Sequence, residues 1–238
     1  MIGCVRLCDN DPRAAALRNP KATNPMTCRF IPQKPVDRSV VAAALLAAIL
    51  AVAPLAAGAA SPTDPAAVRV DTFDHALVEV MKGGASLGAK GRAHKIAPAV
   101  DGAFDLATMT RFAVGPKWAE MTAPQRDALT AAFGRLTVAS YAHNFDSFSG
   151  ERFDLDPTVQ VRGPDKIVLC KLVPPHDKPV SLLYRMRQTA AGWKIIDVYY
   201  DGVSQLTTRR ADFAQPLATG GAAGLLSHLN ALSEKMLK

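Results

Sequence analysis

The chain is predicted to fold as an α+β domain, with helices packed on one face of a curved four-stranded antiparallel sheet. Three observations predict it. First, the runs Ile167–Val173, Val180–Met186 and Trp193–Tyr200 have strand length and are rich in Val, Ile, Leu and Tyr. The turn formers between them (Pro174, Pro175, Asp177, Pro179, then Ala191-Gly192) leave no room for a helical crossover, so the strands must form an antiparallel meander. Thr158–Arg162 and the turn Gly163-Pro164-Asp165 add a fourth strand ahead of it. Second, alternation gives each strand a face. Val180, Leu182, Tyr184 and Met186 point one way, and Ser181, Arg185 and Arg187 the other. Val168, Cys170 and Leu172 share the apolar face, as do Ile196, Val198 and Tyr200. Third, helical periodicity occupies the chain before and after these strands but not between them. Such segregation describes one layer of helices covering one sheet.

The N-terminus reads as a leader. Val40 to Ala53 is an unbroken apolar run preceded by Lys34 and Arg38 and followed by Pro54 and the small residues 56–60. The run falls short of the roughly 20 residues that a span requires, and a basic flank with a small-residue exit describes a signal peptide. Cleavage is expected near Ala59 or Ala60, with the mature protein in the periplasm; an uncleaved anchor is the alternative. The domains are thus a leader over 1–60 and a single domain over 61–238. Met26 is the better start for this leader, and 1–25 are then expected to be untranslated. The leader holds seven Lys/Arg against three acidic residues, so it carries +4 of the net +7. The remaining +3 gives no footprint for nucleic acid. Of four cysteines only Cys170 lies beyond the leader, which excludes an internal disulfide in the exported protein. Its place in an apolar strand marks it as a small buried hydrophobe.

Asp64 can cap a helix with Pro65 in its first turn, followed by Val70, Phe73, Leu77, Val80 and Met81 at helical spacing. Gly83-Gly84 stops it. A second pattern, Ala93, Ile96, Ala97, Val100 and Phe104, contains Pro98, where a kink or break is expected. Asp105 caps a short helix carrying Leu106, Met109 and Phe112, closed by Gly115-Pro116. Thr122 to Gln125 has the form of a capping box. A long amphipathic helix follows to about Phe145, then a linker to Asp156. After Asp201-Gly202, residues Val203, Leu206 and Phe213 suggest a helix. Gly220-Gly221 breaks it, and Leu225, Leu229, Leu232 and Met236 form the last one.

Catalytic patterns are few. The chain has no GxSxG, HExxH, CxxC or Gly-rich phosphate loop, and no metal or cofactor is expected. His143 and Asp146 are read as a solvated helix end rather than metal ligands. Arg209-Arg210 is read as a solvated helix face rather than a phosphate clamp. Asp197, between Ile196 and Val198, is the acid of greatest interest. As a buried general base it would make this an exported small-molecule enzyme of a cone-shaped α+β fold. Alternation favours the other reading, an outward Asp197 paired with Lys171 or Arg185. An adaptor without ligand is a third possibility. The abundant apolar material also fits a greasy ligand held between helices and sheet.

The stretches DLATMTRFAVGPKW at 105–118, TAPQRDALTAAFGRLTVASYA at 122–142 and GWKIIDVYYDGVSQLTTRRADF at 192–213 resemble the MlaC family of periplasmic lipid-shuttle proteins. FDSFSGERF at 145–153 and DGVSQLTTRRADF at 201–213 resemble its hopanoid-associated HpnM branch. The resemblance covers roughly 66–236. It implies a soluble, non-catalytic carrier of a phospholipid or hopanoid; a monomer in solution is expected. It also implies partners in an inner-membrane transporter complex and an outer-membrane donor or acceptor. On this reading the slot has two walls. The sheet supplies Val180, Leu182, Tyr184 and Met186 with Val198 and Tyr200 beside them; the helices supply Phe104, Met109, Phe112, Leu136 and Tyr141.

Overall fold

The computed structural model describes residues 62–238; the leader, its cleavage site and Cys4, Cys8 and Cys28 lie outside them. Helix α1 spans Pro65–Ala103. The Asp64 carboxylate starts it by accepting the Ala66 N–H at 2.8 Å, and the same side chain meets Lys166 Nζ at 2.6 Å. One residue therefore caps the helix and ties its first turn to the sheet. Burial pushes the Asp64 carboxyl up, but Lys166 and the cap N–H groups outweigh it and hold it below the ordinary value.

The helix is two rods in series. Gly84 (φ 45°, ψ −135°) and Gly88 (φ 60°, ψ 174°) leave helical geometry in conformations that side chains with a Cβ rarely adopt. The stop expected at Gly83-Gly84 is thus present. The break expected at Pro98 is not: the non-helical residues of α1 are Gly84 and Gly88, and Pro98 lies within the second rod. Pro98 and His94, whose carbonyl loses its N–H partner, are both exposed, so water can satisfy that carbonyl.

Helix α2 spans Leu106–Val114, with Asp105 Oδ1 accepting the Thr108 N–H at 2.9 Å and Gly115 (φ 72°) ending it. A short 3-10 turn, Gly115–Glu120, leads to α3, Ala123–Asn144. Both bonds of the capping box form there: Thr122 N–H to Gln125 Oε1 at 2.9 Å, and Gln125 N–H to Thr122 Oγ at 3.4 Å.

The sheet has six strands rather than four: β1 Arg152–Leu155, β2 Gln160–Arg162, β3 Asp165–Val173, β4 Val180–Thr189, β5 Gly192–Tyr200 and β6 Val203–Ser204. All pairs are antiparallel, in the order β1-β3-β4-β5-β6, with β2 pairing β3 beyond the end of β1. The two extra strands are short. β1 lies in the expected linker, and its sequence RFDL carries two charges and no run long enough to announce a strand.

The face assignment holds across the central strands. Val168 pairs with Tyr184 and Tyr184 with Val198; Cys170 pairs with Leu182 and Leu182 with Tyr200. Ile196 is the exception. Arg185 pairs with Asp197 but Met186 pairs with Ile195, so Ile196 is the extra residue of a β-bulge. The inner position beside Met186 therefore belongs to Ile195.

Helix α4, Gln205–Met236, is capped by Ser204 and broken at Gly221 (φ 58°). Helices α1, α2 and α4 lie against β5, whereas α3 packs chiefly on α4 and α1. One apolar cluster joins Val70, Phe73, Leu77 and Val80 of α1 to Val168, Tyr184 and Met186 of the sheet. Each such fully buried side chain contributes about 1.5–3 kcal/mol.

Candidate functional site

The inner face of the sheet and the first rod of α1 form the candidate site. The sheet-wall residues divide by depth: Leu182, Tyr184, Met186 and Val198 are buried, and Val180 and Tyr200, at the ends of their strands, are half-buried. On the helical side Phe104 and Met109 are buried, Phe104 at the end of α1 where it bridges to Ile195. Leu136 is buried on α3, the helix that packs chiefly on α1 and α4, and belongs to the same apolar cluster as Val168, Tyr184 and Met186 of the sheet. Phe112 leaves the wall altogether. It is 40% exposed, with the Arg111 guanidinium 5.4 Å from its ring centroid. The inward side of α2 consists of Met109, Thr110, Ala113 and Val114 instead.

Tyr141 belongs to a chain of rings. Phe73 sits edge-on to both Phe104 and Tyr141, with centroids 5.1 Å apart in each case. Tyr141 stacks on Phe145 at 5.8 Å, and Phe145 leans on Phe153 of β1 at 6.4 Å. The aromatic path thus runs from α1 through α3 to the first strand. Such pairs contribute about 0.5–1.5 kcal/mol each beyond their buried area.

The residue that sequence reasoning missed is Asp74. It projects from α1 into the apolar interface and is 3% exposed. Tyr184 Oη donates to its Oδ1 at 2.8 Å and Cys170 Sγ to its Oδ2 at 3.4 Å. These partners come from β4 and β3, so the contact crosses the interface between helix and sheet. Burial pushes the Asp74 carboxyl up to about 7, against the opposing pull of the two donors. Burial, with Asp74 adding to it, also pushes the Tyr184, Tyr141 and Cys170 groups up, so all three keep their protons at neutral pH. A signal was present: Asp74 falls four residues after Val70 and three before Leu77, on the helix's apolar stripe.

Asp197 differs from its expected setting. It stands opposite the inner face, as alternation requires, but is only 5% exposed. Its partners are neither Lys171 nor Arg185. Oδ2 accepts the Ser204 hydroxyl at 2.7 Å and Oδ1 the Leu206 N–H at 3.1 Å, where α4 begins. The outer-face arginines instead share Asp165. Arg185 Nε reaches it at 2.7 Å, and Arg187 Nε and Nη2 at 2.7 and 3.0 Å. Arg209 is half-buried, donating to Ser140 Oγ at 3.3 Å and meeting Asp212 at 3.6 Å; Arg210 is exposed.

Two further features frame the site. Arg92, buried, donates to Ala142 O at 2.8 Å and Gly84 O at 3.0 Å, so the break in α1 is clasped to the end of α3. A groove of about 610 Å³ opens among α1, α2, α3 and α4, lined by Asp101, Leu106, Gly134, Arg135 and Glu234 among others. None of its lining residues comes from the sheet, so it is distinct from the expected slot. Among the described residues no cluster of three or more His, Cys, Asp or Glu could hold a metal ion.

Comparison with known proteins completes the description. The profile of the family described as MlaC protein matches residues 71–231. A phospholipid-binding protein from Ralstonia solanacearum, solved in complex with a phospholipid, superposes with a TM-score of 0.63 at 23% identity, over 74% of this chain and 100% of that one. At that identity the likeness shows a shared fold. With more than half of its length matched by the profile, the chain belongs to the MlaC family.

Proposed function

We propose that this member of the MlaC family is a lipid carrier, shuttling a phospholipid or hopanoid between inner and outer membranes as the soluble part of a transport system. The observation that carries the reading is the family match over 71–231, on the fold in which the Ralstonia protein holds its phospholipid. The apolar inner face supports it, because a carrier must remove acyl or polycyclic surface from water. Each buried CH₂ contributes about 0.8 kcal/mol, and one myristoyl-sized chain holds only marginally, so two chains or a fused ring body suit the cargo better. The apolar run at 40–53 behind Lys34 and Arg38 supports export, with the mature chain working in the periplasm between an inner-membrane transporter complex and an outer-membrane donor or acceptor.

The site needs to separate rather than react: α1 must part from β3 and β4 to admit a chain. The enzyme alternative assigned the general base to Asp197, but both oxygens of that carboxylate are engaged at the start of α4. The test is mass spectrometry of the organic extract of purified mature protein. Near-stoichiometric phospholipid or hopanoid is expected, with the protein in the soluble periplasmic fraction. A lipid-free protein that takes up none from vesicles would overturn the reading.

A further inference from the structure

Asp74 is a poor choice for an interface whose work is to hold hydrocarbon. Burying a carboxyl costs free energy that an apolar side chain of similar size would not, and exchanging buried polar groups for hydrophobic ones often stabilises. Its bonds do not redress this equally. Oδ1 has a phenol donor at 2.8 Å, a full-strength bond, whereas Oδ2 has a thiol at 3.4 Å, among the weakest donors a protein offers. One acceptor on an otherwise apolar face is therefore held by a partner that a better donor would displace.

We propose that Asp74, with Tyr184 and Cys170, is a polar anchor for a hydrophobic ligand bearing a hydroxyl or amine on its buried part, the ligand's donor replacing the Cys170 thiol at Oδ2. This rests on the carrier reading, since the ligand enters where α1 meets the sheet. Tyr184 keeps its bond to Oδ1 and orients the carboxyl. Asp71 and His75 flank the site on α1, and Tyr141 faces it from α3; Cys170 supplies the displaceable donor from β3. The break at Gly84 and Gly88 separates the rod that bears Asp74 from the rest of α1.

The experiment uses delipidated mature protein and two probes: dipalmitoyl phosphatidylcholine, and the same lipid with one chain hydroxylated at its terminal carbon. At pH 8 and above, where the Asp74 carboxyl is ionised, wild type should bind the hydroxylated probe about tenfold more tightly, the worth of one hydrogen bond to a buried carboxylate. Asp74→Leu should reverse the order, favouring the plain lipid. Cys170→Ala, which frees Oδ2, should keep or enlarge the preference. Cys170→Ser, which puts a stronger internal donor in place, should shrink it. Thermal melting of each variant confirms that it is folded. Equal affinity of wild type for both probes, with binding intact, would overturn the anchor and leave the carrier. Binding of neither probe would overturn the carrier reading and the anchor with it.

Discussion

The two faces of the sheet each hold a carboxylate withdrawn from water, and treat it in opposite ways. Asp74, against the inner face, is 3% exposed; Asp165, on the outer face, is 1% exposed. Burial pushes both upward. At Asp165 the guanidiniums of Arg187 and Arg185 outweigh it and hold the carboxyl below the ordinary range. At Asp74 a phenol and a thiol do not, and the group rises to about 7. Burial alone therefore does not determine how an acid titrates; the charge state of what covers it does. The outer face uses its carboxylate to pin the start of β3 to the end of β4. The inner face keeps one that titrates near neutrality.

The contrast is broken most severely by putting a charge on the wrong face. Leu182→Glu places an unpaired carboxylate in the buried cluster and should cost more than about 4 kcal/mol in chemical denaturation. If that protein instead melts normally but loses its lipid, the inner face is an open slot rather than a packed core. Next comes pH. The folded state holds a proton on Asp74 that the unfolded chain, with its ordinary carboxyl, gives up near 3.8. Stability should therefore fall as pH rises from 5 through about 7 and level off above it, a loss of about 2–3 kcal/mol. The lowered carboxyls Asp64 and Asp165 lose their contributions only below 3.8 and are silent in this window. Asp74→Asn should flatten the curve; a wild-type melting temperature that does not change from pH 5 to 8 would remove Asp74 as a titrating group. A smaller effect belongs to Arg187→Ala, which takes the two Arg187 contacts from Asp165 but leaves both of those from Arg185. At this partly exposed site the loss should be about 1–2 kcal/mol by urea titration. The smallest is Leu183→Glu, on the outer face beside Tyr199, expected within about 0.5 kcal/mol of wild type and without effect on bound lipid.

Much of the fold is legible in short-range chemistry. Asp64, Asp105 and the Thr122–Gln125 pair cap the helices they were assigned, because a cap depends on three or four consecutive residues. The pairing of Val168, Tyr184 and Val198 follows from alternation and short turns. What escaped depends on long-range neighbours. Alternation puts Asp197 on the outer face correctly, but says nothing of Ser204 and Leu206, which the Asp201-Gly202 turn folds back over it. Phe112 lies three residues after Met109, an acceptable helical spacing, yet the inward side of α2 runs through Thr110, Ala113 and Val114. Asp74 was passed over because the apolar stripe was read through its hydrophobic members only. The buried acid of the site was thus hidden by the periodicity that reveals the helix.

The bulge in β5 carries a further consequence. Upstream of it the inward residues have odd numbers, Trp193 and Ile195; downstream they have even ones, Val198 and Tyr200. A strand of uniform pleat could turn only one of those two pairs toward the helices. Ile196 acts as a spacer that resets the reading frame halfway along, so that both halves of β5 contribute to the same wall. Removing Ile196 is therefore a deletion that leaves every remaining side chain of β5 on the face it now occupies, and the sheet there would lose its bend while keeping its sidedness.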